Sequence, residues 1–126
     1  MTEPSEAKTV LLVENDPDVR EAMHDVLERR GFHTLTAEHG GAALALLRAG
    51  LVKPSLILLD LTMPVMNGWE FLDAQAADPA IADIPVVVMS ALPSQQGAAA
   101  ARPLAGTLPK PITLKSLVDT VQRFCT

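Results

Sequence analysis

Residues 56–68 read LILLDLTMPVMNG, and their reading decides the fold. Four apolar residues, Leu56 to Leu59, run straight into the carboxylate of Asp60. A loop containing Pro64 follows and closes on Asn67-Gly68, a turn in which a positive φ is expected. The apolar run does not alternate with polar residues. A strand over Ser55 to Leu59 is therefore covered on both faces, as in a parallel sheet flanked by helices. A fully covered strand that delivers a charge at its tip needs a reason for that charge.

Working outward, the same pattern recurs. Thr9 to Val13 (TVLLV) is a buried strand, Phe32 to Ala37 (FHTLTA) alternates weakly, and Ile84 to Met89 (IPVVVM) is again apolar throughout. Thr107-Leu108 is a candidate fifth strand, and Pro109 places it at a sheet edge because proline cannot donate to a ladder. Helical segments fall between the strands. Asp16-Pro17 starts one, with Asp16 as N-cap and Pro17 in the first turn; Val19, Met23, Val26 and Leu27 recur at helical spacing, and Gly31 closes it. Gly40-Gly41 opens a second that ends at Gly50, and a third covers Gly68 to Ala77 with Trp69, Phe71 and Leu72. Residues 93–105 read as a weak Ala-rich helix ended by Pro103. Thr113 to Phe124 is an amphipathic final helix with Leu114, Leu117, Val118 and Val121 on one face. Strand and helix alternate five times, which gives an α/β fold with a five-stranded parallel sheet and helices on both sides. No internal repeat or linker is visible, and nothing after the last helix is long enough for an output domain.

Composition narrows the function. The chain has 126 residues, one domain in size, with 48% apolar and 20% charged residues and a net charge of −5. Without a basic run, neither a nucleic-acid footprint nor an anionic-membrane patch is expected. The single cysteine, Cys125, excludes an intrachain disulfide and a thiolate metal cluster, and points to the cytoplasm. The N-terminus is neither a signal peptide nor a membrane span; residues 1–8 are expected to fray and 9–126 to form the domain.

In a parallel α/β sheet, ligands bind beyond the carboxyl ends of the strands. Those ends carry Glu14-Asn15-Asp16, Asp60, Ser90-Ala91 and, after the fifth strand, Lys110-Pro111. Carboxylates, a hydroxyl and an ammonium thus converge on one edge. VENDP at 13–17, LLDLTMPVMNG at 58–68, VVVMSA at 86–91 and PKP at 109–111 together resemble a response-regulator receiver domain, the phospho-acceptor half of two-component signalling. The resemblance spans Thr9 to about Phe124 and is closest to the stand-alone type. It implies a flavodoxin-like (βα)5 doubly wound sheet in the order 2-1-3-4-5. It also implies Asp60 as phospho-acceptor, Lys110 and Ser90 contacting the phosphoryl group, and Mg²⁺ on Glu14, Asn15, Asp60 and the Thr62 backbone carbonyl. The Ser90 contact is the implied switch, and a cis Lys110–Pro111 bond is expected. The implied phosphodonor is a sensor histidine kinase or a histidine phosphotransfer protein. The output is an unknown downstream protein met by a monomer or weak dimer. The only chemistry expected is self-directed phosphoryl transfer and autodephosphorylation.

Blander readings stand beside these. Asp60 could cap loop amides, Asp16 is expected simply to cap its helix, Lys110 could be a solvated lysine, and Ser90 could serve a turn. His24, His33 and His39 lack ligand spacing and are read as surface residues, and Trp69 as packing. Two positions depart from the family. Asn15 stands where a second acid is usual, which removes one anionic ligand and should weaken Mg²⁺ binding unless Glu14 (through water) or Asp16 compensates. Thr107 stands where an aromatic often follows the switch. Both departures favour the alternative of a degenerate receiver that binds partners without phosphorylation. A flavin- or nucleotide-binding enzyme would want a Gly/Ser/Thr-rich phosphate loop after the first strand, where VENDPDV is acidic.

Overall fold

The computed structural model describes residues 8–50, 53–61, 68–90 and 104–125, Ser90 by its backbone only. Five strands, β1 (Thr9–Val13), β2 (His33–Ala37), β3 (Leu56–Asp60), β4 (Val86–Ser90) and β5 (Gly106–Pro109), form one parallel sheet in the order β2-β1-β3-β4-β5. Four helices, α1 (Pro17–Arg29), α2 (Gly40–Ala49), α3 (Gly68–Ala76) and α4 (Leu114–Cys125), lie among the described residues. This is the doubly wound order that the resemblance implied, with β3 at its centre.

The strand pleat sorts the core into two layers. Leu11, Val13, Ile57, Leu59, Val86 and Val88 pack with Ala43, Leu44 and Leu47 of α2 and Phe71 and Leu72 of α3. Their sequence neighbours Val10, Leu12, Leu56, Leu58, Val87 and Met89 pack with Met23 and Leu27 of α1 and Leu117 and Val121 of α4. All five residues of β3 are buried, so its lack of alternation reflects cover on both sides. Each such Leu, Ile or Val contributes about 1.5–3 kcal/mol from burial.

Local signals set most element ends. Asp16 caps α1, its Oδ1 accepting from Asp18 N at 2.9 Å and Val19 N at 3.3 Å, with Pro17 as the first helical residue. Gly31 and Gly50, at φ 90 and 72, follow α1 and α2 in the left-handed conformation that stops a helix. Thr113 caps α4 by accepting from Ser116 N at 3.1 Å. His39, read as a surface residue, is instead the N-cap of α2, its Nδ1 accepting from Ala42 N at 3.1 Å.

Several boundaries differ from expectation by a residue or two. Strand β3 runs from Leu56 to Asp60, one residue further along the chain than Ser55 to Leu59, and so includes Asp60. Strand β4 begins at Val86, because Ile84 is held in a turn by its N–H to the Ile81 carbonyl (3.2 Å) and its carbonyl to Gln75 Nε2 (3.0 Å), and Pro85 has no N–H. Strand β5 begins at Gly106, and Ala105 donates to the Val86 carbonyl at 2.9 Å, so residues 104 and 105 do not continue the helix read over 93–105. The rest of that segment, the loop from Thr62 through Asn67 and residues 1–7 lie outside the described residues. Among the described residues no helix is long and apolar enough to cross a membrane.

Candidate functional site

Three strand ends deliver the charged groups. Glu14 follows β1, and its N–H donates to the Ala37 carbonyl at the end of β2 (3.0 Å), which ties the loop to the sheet. Asp60 ends β3 opposite Met89 of β4. Lys110 follows β5, and its bond to Pro111 is cis, as the resemblance implied. Lys110 and Asp60, fifty positions apart in the chain, meet as an ion pair with Nζ 3.1 Å from Oδ1. Asp60 is 4% exposed and Glu14 3%, so two carboxylates are buried at one edge beside one ammonium.

Burying an acid disfavours its charged form. Burial therefore raises the Glu14 pKa, and the nearby Asp60 charge adds to the rise; the Asp16 N–H on Glu14 Oε2 (3.1 Å) and the charge of Lys110 oppose it. The other oxygen, Oε1, is buried without a hydrogen-bond partner. An orphaned anionic oxygen of this kind costs stability and is suited to a cation. Among the described residues no three His, Cys, Asp or Glu side chains form a metal-ligand set. Two hard carboxylates do come together, and Mg²⁺ is commonly held by one or two carboxylates with water completing the shell. The residues present therefore fit that ion, with Glu14 and Asp60 as the side chains that would hold it.

The remaining expected site residues divide. Asn15 is exposed beside Glu14. Asp16 is exposed and its Oδ1 is committed to the α1 cap, so that oxygen does not replace the acid missing at Asn15. The Ser90 backbone ends β4 opposite Pro109, which places the residue at the same sheet edge, but its side chain lies outside the description. Thr62 also lies outside it. Thr107 is exposed on β5, and Trp69 packs partly buried against the α2–α3 core layer.

One contact carries no sequence signal. Arg20, in the second turn of α1, reaches back so that Nη1 donates to the Glu14 carbonyl at 2.8 Å and the Asn15 carbonyl at 3.3 Å. A groove of about 520 Å³ leads away from Glu14, Asp16 and Lys110 between α1 and α4, past Val19, Met23 and Leu114.

With this geometry in hand, comparison with known proteins is informative. The family of the response regulator receiver domain matches residues 10–122. Protein PilH of Pseudomonas aeruginosa is 32% identical over 81 residues, covering 64% of this chain and 65% of that one. DNA-binding response regulator MtrA of Mycolicibacterium smegmatis is 35% identical over 82 residues, 65% of this chain but 34% of that protein. The crystal structure of chemotaxis protein CheY4 of Vibrio cholerae superposes with a TM-score of 0.81 at 28% identity, covering 93% of this chain and 98% of that chain.

Proposed function

The chain belongs to the response regulator receiver family of two-component systems, and on that premise we propose that it accepts a phosphoryl group on Asp60 with Mg²⁺. The observation that carries the reading is the pairing of buried Asp60 with half-buried Lys110 at 3.1 Å beside the orphaned Glu14 oxygen. A lone structural aspartate would not gather a second buried carboxylate.

The donor would be a phosphohistidine on a sensor histidine kinase or phosphotransfer protein, met in the cytoplasm. A carboxylate is a weak nucleophile, so the rate depends on positioning and charge neutralisation. An Asp60 oxygen forms the bond to phosphorus as the phosphorus–nitrogen bond breaks, and the leaving imidazole nitrogen keeps the electron pair. Lys110 stands at the acceptor as a compact positive charge and would follow the incoming oxygens. Glu14 and Asp60, with Asn15 and the Thr62 carbonyl, are the groups that would hold the cation; when bound, it supplies positive charge against the phosphoryl oxygens. Ser90, at the neighbouring strand end, would donate to a phosphoryl oxygen and draw its loop inward, which converts acceptance into a change of protein contacts. Hydrolysis of the phosphoaspartate would reset the domain, so the protein acts as a signalling module and not on an external substrate.

A second reading has one observation in its favour. Asn15 removes an acid, and the nearest substitute, Asp16, spends Oδ1 on its helix cap. A receiver so depleted would bind partners without being phosphorylated. The test is intact mass after incubation with acetyl phosphate, with and without Mg²⁺, on the wild type and on Asp60→Asn. One Mg²⁺-dependent phosphoryl adduct on the wild type, absent from the variant, is the expected result. No adduct at high Mg²⁺ would favour the phosphorylation-independent module.

A further inference from the structure

We infer that Arg20 is a positioning residue for the acidic loop: one guanidinium nitrogen grips the Glu14 and Asn15 carbonyls and thereby sets the aim of the side chains at both positions. The inference presupposes the Mg²⁺-dependent reading of the site.

The backbone of residues 14–16 is held from three directions. Glu14 N–H is bound to the Ala37 carbonyl at 3.0 Å, Asp16 N–H to Glu14 Oε2 at 3.1 Å, and both intervening carbonyls to Arg20 Nη1 at 2.8 and 3.3 Å. A guanidinium nitrogen carries two hydrogens in a fixed plane, so it can serve two carbonyls at once, and hydrogen bonds from a charged donor are about twice as strong as neutral ones. Fixing successive carbonyls fixes the planes of the Glu14–Asn15 and Asn15–Asp16 peptides. The Cα–Cβ directions at 14 and 15 follow from those planes. Glu14 is the residue whose Oε1 lacks a donor, so its aim decides whether that oxygen is available to a cation. With Asn15 contributing no charge, binding depends all the more on Glu14 being correctly set.

Arg20 could act in two other ways. It could merely satisfy two carbonyls, in which case its loss lowers stability and leaves ion binding unchanged. It could act through charge, in which case its loss relieves repulsion and tightens Mg²⁺ binding. Arg20→Lys keeps the charge and loses the planar fork. Arg20→Met loses both and keeps an apolar stem.

The experiment is calorimetric titration of the full chain with Mg²⁺, alongside thermal melting and amide hydrogen exchange at Asp16 in metal-free buffer. Partners that orient metal ligands typically change affinity by ten- to a hundredfold, so Arg20→Met should bind roughly tenfold more weakly and Arg20→Lys about threefold. Both variants should show faster Asp16 exchange while still folded. Unchanged affinity in Arg20→Lys and Arg20→Met, or tighter binding in Arg20→Met, would overturn the inference and leave the receiver reading intact. A wild type that takes up no Mg²⁺ would overturn both.

Discussion

Leu59 and Asp60 are consecutive in β3 and almost equally hidden, at 0% and 4% exposure, yet burial acts on them in opposite ways. Along the body of the sheet each buried side chain stabilises the fold by leaving water. At the carboxyl edge, Asp60 and Glu14 leave water and face each other, and at Glu14 the Lys110 ammonium offsets only part of the cost of burial. The body is therefore the source of stability, and the edge is where stability is given up for a preset arrangement of charge. Functional sites in other folds show the same exchange.

The contrast can be broken most forcefully in the body. Leu58→Ala should lower the unfolding free energy by about 2–5 kcal/mol through lost burial and a cavity, read by urea denaturation. The Mg²⁺ affinity of the protein that stays folded should not change. A similar loss of affinity would mean that body and edge are not separable.

At the edge, Asn15→Asp should sharpen the contrast. An added carboxylate in contact with a cation is worth roughly 1–4 kcal/mol, so Mg²⁺ should bind at least about fivefold more tightly by calorimetry. Without the metal the same variant should melt at a lower temperature, because a third carboxyl joins two that already repel.

The smallest effect is expected from Glu14→Gln in chelator-containing buffer. The Glu14 pKa is raised in the folded state, so between the ordinary and the raised value the native protein holds a proton that the unfolded chain has released. Stability contributed by this group is then greatest at acidic pH and falls as pH rises from the ordinary carboxylate range through the raised value. Above the raised value the charged Glu14 destabilises the metal-free fold. The Gln variant should lose this pH dependence and melt roughly 2–4 °C higher at pH 7. A lower melting temperature at pH 7 would show that the Lys110 attraction outweighs burial and the Asp60 repulsion.

Much of this molecule is legible residue by residue. TVLLV, LILL and VVVM announce covered strands because the absence of alternation is a local property. Asp16-Pro17, Gly31 and Gly50 announce helix ends because capping involves atoms within a few residues. Resemblance named Asp60, Lys110 and Glu14, and the fold brings the three together at one sheet edge. The turn that delays β4 was not legible, since it depends on Gln75 reaching two carbonyls across the α3–β4 connection. His39 as a cap was not legible either, because imidazole is an uncommon acceptor at that position.

By itself, then, the sequence determined the alternation of strands and helices, the cover on both faces of β3, the edge place of β5 and the residue types gathered at the strand ends. These follow from periodicity and local hydrogen bonding, which act over short stretches of chain. Only the tertiary structure decided that Lys110 stands 3.1 Å from Asp60, that one Glu14 oxygen is buried without a donor, and that Arg20 holds the loop between them. Those are relations between side chains brought close by the packing of helices on a sheet. Their energies depend on burial and distance, which no local pattern of residues specifies.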